Sequence, residues 1–295
     1  MYYFNYEEPV FRPPSEGRSL ILQITIGCSQ NQCHFCGMYK MKQFQIRPVA
    51  DIAAEIEAIP RDHRYHYKRI FLADGDALIY PQQELVEILD LLNNKFPNLN
   101  RVGIYASPKS LTTKEVEDLQ QLKSRKLHIL YFGLESGDAL TLEAVNKGYR
   151  PEVMLELCRK AQVAGLKLSI TAILGLAGRV RSHEHAIATA EWITQLSPEY
   201  FSLLTMFQRH NDAYFEQIEP LTNGEIIEEA LTIVKNLKPH KTILRSNHVS
   251  NILNLAGSYP KDRDRLIAQT EAALAEARSR PDWFALIPDY GEAYY

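Results

Sequence analysis

Gly27-Cys28-Ser29-Gln30-Asn31-Gln32-Cys33-His34-Phe35-Cys36-Gly37-Met38-Tyr39 decides how this chain is read. It carries three of the four cysteines of the sequence and follows Leu20 to Ile26, an apolar run with β-branched residues that reads as a strand. Iron–sulfur clusters are held by cysteine thiolates, so three on one short loop can hold three irons of a 4Fe–4S cluster. No fourth protein ligand is apparent, which leaves one iron open to an outside ligand, an arrangement for chemistry rather than electron storage. The alternative is a structural zinc site, since Cys-x2-Cys also spaces zinc ligands. Zinc takes four closed ligands, and only His34 inside the loop and Cys158 far along the chain remain to complete such a set.

The bulk numbers fit a globular protein. The chain has 295 residues, 45% hydrophobic and 23% charged, with a net charge of −3, enough for one large domain or two ordinary ones. Nothing in this balance points to a nucleic-acid or membrane-surface partner, and no apolar run approaches the ~18 residues of a membrane span. Met1 to Glu8 carries aromatics and acids rather than a signal-peptide pattern. The expectation is a soluble cytoplasmic protein, its clustered cysteines fitting a reducing compartment better than a disulfide framework.

Outward from the cysteines a rhythm sets in. Residues 1–19 read as an irregular lead-in. Helices are expected from Pro48, with Ile52, Ile56 and Ile59 in phase, and from Pro81, with Leu85, Ile88, Leu89 and Leu92 as a stripe. Strands are expected over Arg69–Ala73, Arg101–Ala106, Leu127–Gly133, Leu168–Leu174 and Tyr200–Phe207. Thr112-Thr113-Lys114-Glu115 reads as a helix start with Glu three residues after a Thr cap. Further helices are expected over Ala139–Val145, Pro151–Ala164 with Gly165 as C-cap, and His183–Leu196. Six strands alternating with helices predict a parallel sheet with right-handed crossovers, an α/β partial TIM-type (β/α)6 barrel. Chemistry in such barrels lies at the C-terminal strand ends. There fall the cysteine loop, Asp74-Gly75-Asp76, Ser107, Glu135-Ser136 and Gly175 to Gly178. Beyond Phe207 helices are expected over Asn223–Leu237 and Asp262–Arg278, with an irregular tail from Pro281 to Tyr295. The division predicted is a lead-in (1–19), a core (20–208) and a short C-terminal helical cap (209–295).

With these residues in place, the sequence resembles the radical SAM enzymes. Members bind S-adenosylmethionine (SAM) through its amino and carboxylate groups to the open iron of a three-cysteine 4Fe–4S cluster. One electron then cleaves SAM to methionine and a 5′-deoxyadenosyl radical, which takes hydrogen from substrate. The resemblance makes Cys28, Cys33 and Cys36 the cluster ligands, spaced by four and two residues where the family's usual spacing is three and two. Phe35 stands at the family's aromatic position. Asp74-Gly75-Asp76 stands where the family often has Gly-Gly-Glu, a turn meeting the SAM amino group. Gly133-Leu134-Glu135-Ser136-Gly137 is similar to the segment contacting ribose and the methionyl part. Thr171-x-Ile173-x-Gly175-x-x-Gly178 is similar to an adenine-binding pattern, with Thr171 in place of its first glycine. The SAM-binding set implied is Phe35, Asp74, Gly75, Asp76, Ser107, Glu135, Ser136, Ile173 and Gly175. The resemblance covers roughly residues 18 to 208 and is nearest the branch containing the elongator catalytic subunit and oxygen-independent coproporphyrinogen oxidase.

It implies an oxidoreductase-like or transferase-like enzyme acting on a small molecule and reduced by a partner such as flavodoxin or ferredoxin. No nucleic-acid or membrane partner is implied. Glycines let backbone approach a ligand closely, carboxylates accept from ammonium or ribose hydroxyls, and the cofactor carries the hard chemistry. Arg245, Asn247, His248 and Asn251 are candidate substrate residues, donor-rich after an apolar run; the plainer reading is a capping turn. His183 and His185, beside Arg179 and Arg181, mark either an anion site or a solvated helix start. The chain lacks cysteines for a second cluster, and the expectation is no cobalamin or acetyltransferase domain. Two other readings stand beside this one: an anaerobic tetrapyrrole-modifying enzyme, and a non-catalytic iron–sulfur or zinc protein.

Overall fold

The apolar run before the cysteines forms two strands rather than one. In the computed structural model, which describes residues 4–206 and 211–288, β1 (Leu20–Gln23) is buried along its whole length. β2 (Thr25–Ile26) turns away to pair with β3 (Gln45–Ile46) in a small antiparallel ribbon. Ile24 is the junction: its N–H donates to Ala73 at 2.7 Å and its carbonyl accepts from Arg47 at 3.1 Å. Apolar continuity marks burial, not an unbroken ladder.

The chain continues through α1 (Val49–Ala58), α2 (Arg61–Arg64), β4 (Arg69–Ala73), α3 (Gln82–Lys95) and β5 (Arg101–Ala106). There follow α4 (Pro108–Thr112), α5 (Val116–Ser124), β6 (Leu127–Glu135), α6 (Ala139–Ala144), α7 (Pro151–Val163) and β7 (Lys167–Leu174). Then come α8 (Gly178–Leu196), β8 (Tyr200–Thr205), α9 (Asp212–Phe215) and α10 (Asn223–Asn236). The last elements are β9 (Thr242–Arg245), β10 (Ala256–Tyr259), α11 (Arg263–Arg278) and α12 (Pro281–Ala285). All strands but β2 and β3 belong to the main, mostly parallel sheet. The six expected strand–helix repeats are therefore present, with β9 and β10 added beyond them.

Several local expectations change. The Thr112 cap does not form, because Pro108 starts a helix directly after β5 and Thr112 becomes its end. Ser107 caps α4, accepting from the N–H of Ser110, and Glu115 itself caps α5 with Asp118 as its reciprocal partner. α8 begins five residues before His183, since the turn closed by Gly178 N–H donating to Gly175 at 3.1 Å runs straight into it. The tail opens with α12 rather than irregular chain. Phe207 and His210 lie outside the described residues, as does the end of the tail from 289 onward.

The first of two compact units comprises Met1–Asn31, Met38–Phe132 and Glu156–Leu168. It carries β1-β4-β5-β6, all parallel, in registers such as Leu20↔Ile70 and Ile70↔Val102. Its interior holds Leu22, Leu72 and Ile104, none of them exposed. Phe71, Tyr105 and Tyr131 meet edge to face at 4.9 to 6.2 Å, a favoured aromatic geometry. Glu16, from the lead-in, is buried and accepts from Arg101 at 2.7 Å.

The second unit comprises Gln32–Gly37, Gly133–Leu155 and Ser169–Tyr295. Here β7-β8-β9 run parallel and β10 pairs antiparallel with β9. α10 packs on α8 and α11, and Ile227, Leu274 and Ala277 form a small core with Trp283 and Phe284 against it. Among the described residues no helix is long and apolar enough to cross a membrane.

Candidate functional site

In the first unit the cysteine loop is bound to the ends of β4 and β5. A side chain at Gly75 would come within 2.6 Å of the Tyr39 ring and 3.0 Å of Cys28 Cβ, so only glycine lets this turn lie against the loop. Asn31 Nδ2 donates to the Tyr39 carbonyl at 2.6 Å, and Lys109 Nζ to that of Ser29 at 3.0 Å. Asp76 accepts from Ser29 Oγ (2.5 Å), Ser107 N (2.9 Å) and Ser107 Oγ (2.7 Å). Ser107 thus caps α4 and holds Asp76 at once.

Asp74 Oδ2 accepts from Lys42 Nζ (2.8 Å), Gln23 Nε2 (3.1 Å) and Gly27 N (3.1 Å). Its Oδ1 is buried with no hydrogen-bond partner. The Lys42 ammonium also donates to the carbonyls of Glu7 (2.6 Å) and Pro9 (2.7 Å). Burial lifts both carboxyls above their usual range, opposed by Lys42 at Asp74 and by the serine hydroxyls at Asp76.

In the second unit Cys33 is buried and Cys36 half-buried, with Cys36 N–H donating to Cys33 O at 3.4 Å. Phe35 is buried between them in sequence. His34 N–H donates to Val145 O at 2.8 Å, its ring Nδ1 lies 3.0 Å from Ala144 O, and Asn146 Nδ2 donates to Gln32 O at 3.2 Å. Three bonds therefore fix this half of the loop to the end of α6. No disulfide joins any of the four cysteines. Cys158 is wholly buried in α7, and burial pushes its thiol up. Among the described residues no three His, Cys, Asp or Glu side chains are grouped for one metal ion. A 4Fe–4S cluster asks for a different arrangement, one thiolate on each of three irons.

β6 ends in strained backbone: Glu135 has φ +67°, uncommon for a residue with a side chain. Its carboxylate folds back over Gly133, where any Cβ would collide with it, and pairs with Lys147 Nζ at 3.0 Å. Ser136 Oγ lies 2.7 Å from His185 Nδ1 and accepts from Asp138 N at 3.0 Å. His185 is therefore neither an anion site nor a solvated residue. It is fully buried, on the inner face of α8 with Ala186, Thr189 and Ala190. The nearby arginines are matched by acids, Arg181 by Asp138 (2.9 Å) and Arg179 by Glu225 (2.7 Å). Despite burial, the bonds from Arg181 and Thr141 hold the Asp138 carboxyl below its usual range.

Behind the end of β7 sits a carboxylate that the sequence reading missed. Glu229 Oε1 accepts from Gly175 N at 2.7 Å and Oε2 from Ser182 Oγ at 2.5 Å. His185 Nε2, otherwise without a hydrogen-bond partner, lies 3.8 Å from Glu229 Oε1. Burial pushes Glu229 up to about 7 and His185 down to about 4. Desolvation of two fully buried groups outweighs their attraction at that distance, so both are neutral between these values. Gly175 has φ +79°, and a Cβ there would meet nothing within 4 Å, although the residue itself is buried. Ile173 is half-buried.

Of the candidate substrate residues, Arg245 and Asn247 are exposed. Asn251 ties its loop to β8, donating to Leu203 O at 2.7 Å and accepting from Thr205 Oγ1 at 2.9 Å. His248 Nδ1 lies 2.9 Å from Ser250 Oγ, and burial lowers its pKa. Lys42 and Lys147 also escaped the sequence reading: both lie on loops without periodicity, and the carboxylate partner of Lys42 is 32 positions away. Glu229 left a signal: it is an acid on the buried stripe of Ile226, Ala230 and Ile233.

The donor chemistry suits a cluster and SAM. Three thiols stand on one loop, a buried carboxylate oxygen at the end of β4 lacks a donor, and open space flanks buried Gly175. The sequence model of the Radical SAM superfamily matches residues 22–193, more than half of the chain. The heme chaperone HemW of Bacillus subtilis (strain 168) is 22% identical over 206 residues, 66% of this chain and 52% of that protein. Among solved structures, the radical S-adenosylmethionine methyltransferase TsrM from Kitasatospora setae, with cobalamin and a [4Fe-4S] cluster bound, superposes with a TM-score of 0.55. It is 16% identical and covers 68% of this chain and 39% of its own. Coproporphyrinogen III oxidase (HemN) from Escherichia coli gives 0.50 at 18% identity, over 68% and 47%. The chain thus spans about half the length of the curated relative. At these identities the solved structures speak for the fold, and they carry the same partial (β/α) barrel.

Proposed function

The chain belongs to the radical SAM superfamily, enzymes whose cofactors are a 4Fe–4S cluster and SAM, and from that membership we propose a site for each cofactor. Cys28, Cys33 and Cys36 hold three irons and leave the fourth to SAM. With both bound, one-electron reduction of SAM supplies methionine and a 5′-deoxyadenosyl radical that takes hydrogen from a small-molecule substrate. The carrying observation is the Gly75 turn, pressed on Cys28 beside a buried Asp74 Oδ1 that lacks a donor.

In this reading Asp74 and the Gly75 backbone receive the SAM ammonium, while Asp76 and Ser107 keep the turn and the cysteine loop in place. Glu135 and Ser136 face ribose and the methionyl part, with Lys147 holding the Glu135 carboxylate. Ile173, Gly175 and Phe35 offer apolar surface to the rest of the cofactor and keep water away. Residues 20–208 make the core, 209–295 cap it, and Arg245, Asn247, His248 and Asn251 lie on the cap's substrate side. The electron comes from a flavodoxin- or ferredoxin-like donor. A tetrapyrrole is the favoured second reading of the substrate, because of the likeness to a heme chaperone and a coproporphyrinogen oxidase.

The test is anaerobic: cluster-reconstituted protein is given SAM and dithionite, and 5′-deoxyadenosine is sought by mass spectrometry. It should form with the wild type and fall to background in Cys36→Ala. A colourless, zinc-loaded protein that neither binds nor cleaves SAM would overturn the reading.

A further inference from the structure

We propose that Glu229, carried on α10 beyond the stretch matched by the superfamily, is a positioning residue for SAM that fixes the Gly175 turn at the end of β7. The inference rests on the reading above that SAM lies along that turn. Three observations carry it. The Gly175 N–H donates to Glu229 Oε1 at 2.7 Å, so a side chain 54 positions away sets the orientation of this peptide. Gly175 takes a left-handed φ of +79°, and its would-be Cβ faces open space. The turn therefore has no side-chain packing of its own at Gly175 on that side, and beside the Gly178 N–H and Tyr214 Oη bonds to its carbonyls the Glu229 bond fixes the Gly175 N–H. Lastly, Ser182 Oγ holds the other Glu229 oxygen at 2.5 Å, and His185, whose Nε2 lies 3.8 Å from Glu229, is bound at Nδ1 to Ser136. The Glu229 carboxyl thus backs the end of β7 directly, while its neighbour His185 backs Ser136 at the end of β6.

A buried acid in a helix face otherwise made of Ile226, Ala230 and Ile233 is a costly choice for packing alone. An apolar residue would fill the same volume. What it could not do is accept the Gly175 N–H, which is buried and needs an acceptor. Groups that hold a binding element from behind have large effects on affinity without touching the ligand.

The experiment uses full-length, cluster-loaded protein under anaerobic conditions and measures radiolabelled SAM binding by equilibrium dialysis, with melting temperature and iron content for each variant. Glu229→Leu keeps bulk and helix propensity but removes the acceptor; its SAM Kd should rise about tenfold with iron content unchanged. Glu229→Gln, which can still accept from Gly175, should stay within about threefold of wild type. Ile233→Ala, buried on the same helix away from Gly175, is the control for lost stability and should leave Kd unchanged. If Glu229→Leu binds SAM as the wild type does, or shifts no more than Ile233→Ala at matched stability, the inference falls and the cofactor site stands. If the wild type with its cluster does not bind SAM, the cofactor reading falls and takes the inference with it. Should Glu229→Leu not fold, Ser182→Ala decides: a Kd rise of about twofold or more supports the proposal, and an unchanged Kd overturns it.

Discussion

Asp74 and Glu229 are each buried beside a base, and the fold surrounds the two pairs differently. Asp74 meets Lys42 at 2.8 Å, and each has further partners: Gln23 and Gly27 donate to the same carboxylate oxygen, Oδ2, while Glu7 and Pro9 carbonyls accept from the ammonium. Glu229 meets His185 only at 3.8 Å, with two donors for the acid and no direct hydrogen bond within the pair. The first pair is a direct salt bridge with further partners around it, and burial still lifts the Asp74 carboxyl above its usual range. The second is neutral around pH 5 to 6, because burial dominates both groups. The lesson is that burial lifts both acids, and that hydrogen bonds supplied to the carboxyl, rather than the mere nearness of a base, oppose it.

The comparison breaks most visibly at the ionic pair. Asp74→Ala strands the Lys42 ammonium in the interior and should cost about 3–5 kcal/mol in urea denaturation. The double change Asp74→Leu with Lys42→Met should recover most of that loss, and a double variant as unstable as the single would show that the pair is not a charge-balanced unit. The neutral pair is sharpened by pH. The Glu229 carboxyl rises from 4.5 to about 7 on folding, so its proton-bound form stabilises the fold at low pH, and that stabilisation is lost as pH rises through 7. Glu229→Gln has no such proton to lose. Its stability relative to wild type should therefore grow between pH 4.5 and 7, by on the order of 3 kcal/mol at most, and level off above. His185, lowered from 6.5 to about 4, costs stability as pH falls, in both proteins alike, and cancels from the difference. A pH-independent difference in melting temperature would show that Glu229 is charged throughout. The smallest effect is expected away from both pairs: Asn251→Ala removes two hydrogen bonds to β8 and should cost about 1–2 kcal/mol in thermal unfolding while leaving SAM binding unchanged.

Much of the fold could be read from residue order. β4 and β5 begin and end where the sequence places them, since apolar runs there are cut by Asp74-Gly75 and Ser107-Pro108. Leu20 to Ile26 offered no such punctuation, and its break at Ile24 is made by hydrogen bonds to Ala73 and Arg47 that only the folded chain brings near. In the candidate site, strand-end residues were legible because barrel topology collects them. Lys42, Lys147 and Glu229 were not, because each acts through a partner from another element. His185 looked solvated among Arg181, His183 and Glu184, yet its helical phase with Thr189 and Ile193 already put it on the inner face.

The three acceptors of Lys42 make residues 7 and 9 and the loop that carries Cys28 parts of one inherited block. Grafting another protein's cysteine loop onto this barrel would exchange residue 42 and orphan two carbonyls of the lead-in together with Asp74. A chimera should therefore carry the segment from residue 4 onward along with its own loop. Among homologues, substitutions at position 42 are expected to travel with substitutions at position 74.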